Sequence, residues 1–197
     1  MKTLLLATAL ALVACAGSAA RESLTTIERE RLVSHLEMTE SWLADEVSGL
    51  SPAQLQFRRA PGVWTIMEVL DHLVVSEAIY WQDLQKAMKA KPRSQPRLGT
   101  DADILWYGID RTNREKAVPA ELPKGQLRDL GAALDAYRRQ RAVLLQYAKT
   151  TDDDLRGHLV ERQGCDAYQW ALLISTHTQR HILQIREVKA DPGYPKK

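Results

Sequence analysis

The chain has 197 residues, of which 45% are hydrophobic and 26% are charged, and its formal net charge is +2. This composition is typical of one ordinary globular domain, and it excludes collagen, low-complexity chains and small disulfide-rich toxins. The balanced charge argues against nucleic acid as the main partner, and the single long apolar run, at the very start, excludes a polytopic membrane protein.

The start of the chain has the pattern of an export signal. Lys2 gives a positive start, and residues 4–14 form an apolar run of about eleven residues. This run is too short for a transmembrane helix and suits the core of a signal peptide. We therefore predict a signal segment over residues 1–20, an exported protein, and one domain over residues 21–197. An uncleaved N-terminal anchor is the alternative.

Two ways of processing fit this segment. Residues 12–15, Leu-Val-Ala-Cys, resemble a bacterial lipobox, in which Cys15 becomes the lipidated first residue of a membrane-anchored lipoprotein. Alternatively, signal peptidase cuts after Ala19 or Ala20 and releases a periplasmic protein. The other cysteine, Cys165, is expected to be an inert small residue in a loop, although a helix start after Gly164 could lower the pKa of its thiol.

From residue 22 onward, apolar residues recur at helical spacing. The first predicted helix covers residues 22–48, and the second covers residues 65–90, where Thr65 and Glu68 have the spacing of a capping box. Residues 91–99, with their prolines and glycine, form a linker. The apolar stripe of the first helix consists of Leu32, Leu36, Leu43, Val47 and Leu50.

The second half of the chain continues the same pattern. A shorter helical segment is predicted over residues 101–116, before Pro119 and Pro123, and a long helix over residues 126–149. An irregular polar segment leads to the last helix, residues 166–189. No stretch shows strand alternation of useful length. We predict an all-α fold, an up-and-down four-helix bundle with an extra short helix and irregular loops.

Three histidines are candidates for a metal site. His177 and His181 lie one helical turn apart, within the apolar stripe of the last predicted helix. Two imidazoles on one turn can converge on a transition metal, although hydrogen-bonded core histidines fit the same spacing. His72, beside the apolar face of the second helix, is the natural third ligand. Three imidazoles with an open position suit catalytic zinc, nickel, iron or cobalt.

The remaining candidates are less specific. Glu68, one turn before His72, is the candidate general base or a residue that orients a ligand. His35 falls near the polar margin of the first helix and is expected at the surface, and His158 lies in the irregular segment. The chain contains no nucleophile elbow, phosphate-binding loop or dinucleotide-binding glycine pattern.

Two stretches of the chain resemble the DinB-like superfamily of four-helix-bundle metalloenzymes. They are residues 60–73, Ala-Pro-Gly-Val-Trp-Thr-Ile-Met-Glu-Val-Leu-Asp-His-Leu, and residues 177–189, His-Thr-Gln-Arg-His-Ile-Leu-Gln-Ile-Arg-Glu-Val-Lys. The resemblance implies a divalent metal held by His72, His177 and His181. Some relatives are thiol-dependent transferases, and others are described only as metal-dependent hydrolases. The predicted export departs from the transferases, because low-molecular-weight thiols are scarce outside the cytoplasm.

These observations favour an exported metal-dependent enzyme, a hydrolase or a transferase, that acts on a small molecule of open identity. The alternative is a non-catalytic exported lipoprotein that binds a metal or a ligand, and a purely structural or partner-binding lipoprotein is a third hypothesis. We expect no nucleic-acid partner, and contact with a membrane only through a lipid on Cys15. Pairing into a homodimer through helix faces is left open.

Overall fold

The computed structural model describes residues 23–92, 99–127 and 129–196. The predicted signal segment, with Cys15, lies outside these residues. Among the described helices, none is long and apolar enough to cross a membrane. The elements in chain order are α1 (Thr26–Val47), α2 (Pro52–Leu55), α3 (Ile66–Lys89), α4 (Asp101–Ile109), a 3-10 turn (Pro119–Glu121), α5 (Leu130–Thr150), β1 (Leu159–Val160), β2 (Cys165–Asp166) and α6 (Ala167–Lys189).

Side chains cap the first turns of the long helices. Thr25, Thr65 and Asp166 each accept a hydrogen bond from the backbone N–H three residues ahead, and the side chain at that position bonds back to the cap residue. These capping boxes satisfy N–H groups that have no partner within the helix. Asp129 caps α5, which therefore begins at Leu130 and not at the predicted residue 126.

The four long helices, α1, α3, α5 and α6, pack into one bundle, and the predicted all-α fold is confirmed. α1 and α6 run in the same direction, because Tyr168 lies near Glu28 at one end and Lys189 lies near Glu46 at the other. α3 and α5 run against them, as the cross-bundle hydrogen bonds show. The consecutive helices α3 and α5 are therefore parallel, which differs from the alternating directions of the predicted up-and-down bundle. The chain must therefore cross from the end of α3 to the start of α5, a connection formed by residues 90–129.

Within this connection, α4 packs along α6. Gly108 allows the close approach, because a Cβ atom there would lie 2.8 Å from Gln179 Oε1 and 3.0 Å from Thr176 Cβ. The helical segment predicted over residues 101–116 ends earlier, at Ile109, and Asp110 is already extended. Between Asp110 and residue 127, the 3-10 turn is the regular element of the connection, and part of this stretch lines the cavity described below.

A small hairpin precedes α6. Leu159 pairs with Asp166 and Val160 pairs with Cys165 in antiparallel register, and Gly164 adopts the left-handed φ of 63° that the turn requires. The expectation of no strand is therefore wrong at this point. Strands of two residues have no alternation for a sequence pattern to reveal.

Candidate metal centre

The three histidines that the sequence singled out meet in the structure. His72 comes from the second turn of α3, and His177 and His181 come from successive turns of α6. All three are buried, with exposures of 2%, 5% and 8%. They face one another because both helices turn these positions toward the interior, as the apolar spacing of their neighbours requires. We call these residues the histidine cluster.

The Nε2 atoms of the histidine cluster form a small triangle. His72 Nε2 lies 3.2 Å from His177 Nε2 and 3.1 Å from His181 Nε2, and the remaining side is 3.0 Å. Three imidazoles bound to one tetrahedral ion at about 2.0–2.1 Å hold their nitrogens about 3.3 Å apart. The triangle therefore has close to the size that a shared ion requires, and the cluster can hold a metal.

The outer nitrogens of two rings show why this triangle suits a cation. His72 Nδ1 donates to the backbone carbonyl of Glu121 at 2.6 Å, and His181 Nδ1 donates to Gln184 Oε1 at 2.8 Å. A neutral imidazole carries one proton, so the Nε2 atoms of His72 and His181 are unprotonated. Their lone pairs face each other across 3.1 Å and repel unless a cation lies between them.

The surroundings favour the neutral form of each ring. Burial lowers the pKa of His72, although the hydrogen bond to the backbone carbonyl of Glu121 and the charge of the Glu121 carboxylate act to raise it. Burial, and then the neighbouring cluster imidazoles, hold the pKa values of His177 and His181 well below the usual range. Neutral imidazole is the form that binds a metal ion, so the cluster needs to release no proton before it does so.

Aromatic rings hold the imidazoles in place. The ring of Trp64 lies 4.8 Å from that of His72 and 6.4 Å from that of His181, between centroids. Tyr80, from α3, lies 5.2 Å from His177. These contacts restrict the rotation of the imidazoles, which keeps the three nitrogens directed at one point.

The histidine cluster opens onto a cavity of about 700 Å³. The cavity is bounded by the loop before α3, by the connection that carries α4 and the 3-10 turn, by the β1–β2 hairpin and by α6. A volume of this size suits a small organic molecule. The arrangement therefore combines ligands for one ion with space for a substrate beside it.

A second polar group borders the cavity beside the histidine cluster. Glu121, on the 3-10 turn, is buried, and its carboxylate accepts hydrogen bonds from Arg162 Nη2 and, at 3.2 Å, from the hydroxyl of Tyr80. Arg162 also lies over the ring of Tyr80, 5.4 Å from its centroid. The sequence analysis identified none of these three residues, because they come from a loop, a hairpin and an aromatic position that looked like core.

Comparison with known proteins assigns the chain to a family. The model of the DinB superfamily matches residues 35–185, which include the whole histidine cluster. The chain belongs to the DinB superfamily. It is also 30% identical to the uncharacterized protein YuaE of Bacillus subtilis over 155 residues, which cover 76% of this chain and 91% of YuaE. No solved structure matches it. The resemblance predicted from residues 60–73 and 177–189 is thus confirmed.

In this DinB-superfamily chain, the side chain of Glu68 bonds to residues at and before the start of α3. Its Oε2 accepts from the backbone N–H of Thr65 at 2.7 Å, and its Oε1 accepts from Arg58 at 2.7 Å. Although burial opposes ionisation, these partners hold the pKa of Glu68 below its usual range. Glu68 is not among the residues that line the cavity. Its carboxylate caps α3, and its role as general base or as a residue that orients a ligand stays a prediction.

Other sequence expectations for this DinB-superfamily chain need correction. His35 is half-buried, with its Nδ1 2.6 Å from Ser175 Oγ, because α6 packs against that side of α1. His158 is buried, but its ring bonds the carbonyl of Ala87 and takes no part in the histidine cluster. Cys165 lies in β2, and burial, with the charge of Asp166, raises the pKa of its thiol to about 12. This agrees with the expected inert thiol and not with the alternative of a lowered pKa, although Cys165 lies in a strand of the hairpin and not in a loop.

Proposed function

We propose that the chain is a metal-dependent enzyme that acts on a small molecule, as a hydrolase or a transferase, with a divalent ion held by His72, His177 and His181. The observation that carries the proposal is the convergence of three buried Nε2 atoms at the wall of a cavity. Structural zinc sites use four protein ligands, whereas catalytic sites keep a position open. Three ligands beside a cavity fit the catalytic type.

A bound divalent ion would supply a Lewis acid, able to polarise a substrate oxygen or sulfur or to lower the pKa of a water molecule. The chain itself supplies orientation and a proton acceptor. The carboxylate of Glu121, held by Arg162 at the cavity wall, is the candidate acceptor for a proton from a group bound beside the cluster. Burial and the charge of Glu121 raise the pKa of Tyr80 above its usual range, so its hydroxyl stays a donor.

The identity of the ion stays open among zinc, nickel and iron. Imidazole nitrogens bind each of these ions well, and a set of three neutral histidines selects among them only weakly. Elemental analysis of protein purified without a histidine tag names the ion and tests the site in one measurement. We expect about one transition-metal ion per chain in the parent protein, because one triangle of ligands is present.

The double variant His177→Ala/His181→Ala is expected to retain almost no metal. The matched control is His158→Ala, which removes an equally buried histidine outside the cluster and should keep the parent's metal content. The metal-loaded parent is then assayed with esters, amides and small electrophiles plus a thiol. Turnover that disappears in the double variant supports the enzyme. Metal without turnover of any substrate favours the alternative, a non-catalytic binding protein, and absence of metal in the reloaded parent contradicts both.

We also propose that this chemistry takes place outside the cytoplasm, in the periplasm or on a membrane-anchored lipoprotein. The support is the leader pattern of residues 1–20 alone. Mass spectrometry of the protein made in a bacterial host distinguishes the possibilities. A lipid on Cys15 indicates a lipoprotein, a new N-terminus after Ala19 or Ala20 indicates release, and a soluble chain that retains Met1 contradicts the proposal.

A further inference from the structure

The cavity beside the histidine cluster changes in character along α6. The α6 residues that line it run from Leu173 to Val188, about 22 Å of helix, and the metal-binding positions lie between these ends. Near Leu173 the lining includes the apolar and aromatic side chains of Ile104 and Tyr80, with the paired charges of Arg162 and Glu121 against the Tyr80 ring. The other end, beyond His181, is strongly charged.

Positive charge dominates the lining. Six of the lining side chains are arginine or lysine and three are glutamate, an excess of three positive charges. The whole chain of 197 residues carries a net charge of only +2. Basic side chains are therefore concentrated at this cavity although the composition is balanced. A cleft lined by one sign of charge raises the local concentration of ligands of the opposite sign.

Some of these cations have structural partners. Arg180 donates to the backbone carbonyls of Tyr107, Asp110 and Asn113, and so fixes the end of α4 on α6. Arg111 uses its donors on both carboxylate oxygens of Glu187 and on a backbone carbonyl. Each of these guanidinium groups uses three of its five N–H donors on the protein, so it contributes charge to the cavity but has fewer donors left for a ligand.

Three other cations keep their donors. The side chain of Arg114 is 62% exposed and reaches Glu187 through one nitrogen, at 3.3 Å. Arg59 has its Nε 4.0 Å from Asp191, at the limit of an ion pair. For Lys116, we find no partner within the part of the chain that the structure describes. We call Arg59, Arg114 and Lys116 the basic rim.

We propose that the substrate is a small organic anion, whose carboxylate, phosphate or sulfonate group binds the basic rim while its apolar body lies toward Leu173. This inference rests on the proposed function, because a molecule in this position passes directly over the histidine cluster. Guanidinium and ammonium groups form charge-assisted hydrogen bonds with such anions. The same rim rejects cationic molecules, which gives the cavity selectivity as well as affinity.

The test uses two fluorescent ligands with the same type of apolar rings. The anion is 8-anilinonaphthalene-1-sulfonate, and the neutral analogue is N-phenyl-1-naphthylamine. The rim variant is Arg59→Gln/Arg114→Gln/Lys116→Gln. Its matched control, Arg138→Gln/Arg139→Gln/Lys149→Gln, removes the same charge from exposed positions of α5, a helix that contributes no residue to the cavity lining.

We expect the rim variant to bind the sulfonate about tenfold or more weakly and the neutral analogue less than about twofold more weakly. The control variant should bind both like the parent. Added salt should weaken sulfonate binding in the parent more than in the rim variant. A melting temperature close to that of the parent shows that the rim variant is folded.

A parent protein that binds the sulfonate no more tightly than the neutral analogue overturns the inference. Equal weakening in the rim variant and the α5 control overturns it too. The same titrations on the metal-free His177→Ala/His181→Ala variant separate the two proposals. A rim effect that persists there supports the anion site independently of the ion, and a rim effect that vanishes shows that it depends on the bound ion, which contradicts a separate anion site at the rim.

Discussion

Two buried polar clusters lie inside the same bundle, and their hydrogen bonding is opposite. In the first, Arg141 of α5 is fully buried and bonds both carboxylate oxygens of Glu77 at 2.7 and 3.0 Å. Its other contacts are the hydroxyls of Thr39 and Thr178 and the carbonyl of Leu36. Every charge is matched and every donor has an acceptor. We call this group the arginine cluster.

The histidine cluster, by contrast, contains polar atoms without a hydrogen-bond partner of the right kind. The outer nitrogens of His72 and His181 donate their protons to protein oxygens, so the inner nitrogens of these two rings face each other as lone pairs. The histidine cluster also borders the cavity described above, whereas no residue of the arginine cluster lines that cavity. Burial alone therefore does not distinguish a functional polar group from a structural one. What distinguishes the two kinds of buried polar group is where their unsatisfied atoms point.

The largest effect is expected from Arg141→Met. This change leaves Glu77 buried without its counter-charge, and we expect the free energy of unfolding to fall by about 3–5 kcal/mol. Urea denaturation measures the loss. The double variant Arg141→Met/Glu77→Leu should recover most of it, because no charge is then left buried. The metal content per folded chain should not change in either variant. A loss below about 1 kcal/mol would show that the pair is not structural.

A smaller effect, and on a different property, is expected from Gln184→Ala. This change removes the acceptor that orients His181, and we expect the dissociation constant for the metal to rise about 10- to 100-fold. Competition with a chromophoric chelator measures it. Gln146→Ala, at an exposed position of α5, is the control and should leave the constant unchanged. Unaltered metal affinity in Gln184→Ala would mean that His181 is held by packing alone.

The smallest effect concerns pH and His35, which adjoins the arginine cluster. Burial and then the charge of Arg141 lower the pKa of His35 below 6.5. As pH falls through 6.5, the unfolded chain takes up a proton that the folded chain resists, so stability is lost below this pH. We expect His35→Asn, measured with chelator present, to lose less stability than the parent between pH 7.5 and pH 5. Parallel pH profiles would argue against a neutral His35 in the fold.

The histidine cluster could be predicted from the sequence because most of its pattern lies within one short stretch of the chain. His177 and His181 lie one turn apart on the same helix, and only His72 comes from another helix. The long helices and the family were predictable for the same reason, since apolar spacing and two short motifs carry them. Where α5 begins depends on a single cap, Asp129, and this kind of detail is commonly displaced by a few residues.

The cavity wall was not predictable, because its residues are distant along the chain and lack a pattern. Glu121 lies between prolines in an irregular segment, and Arg162 belongs to a hairpin too short to detect. Glu121 and Arg162 meet because α3 and α5 are parallel, so the chain between these two helices has to return along α6. Glu68 shows the opposite case, and its role as a general base or as a residue that orients a ligand stays a prediction. It is close to His72 along the helix, but capping is a nearer use for its carboxylate.

Glu121 links the binding of the ion to the shape of the cavity, two properties that usually vary separately in proteins. Its backbone carbonyl fixes the ring of His72, and its side chain is held by Arg162 and Tyr80 at the cavity wall. A mutation that reshapes the connection around Glu121, to admit a different molecule, also disturbs the ring that binds the ion. Changes of selectivity in this protein are therefore easiest at the rim, where Arg59, Arg114 and Lys116 can be exchanged without touching the ligands.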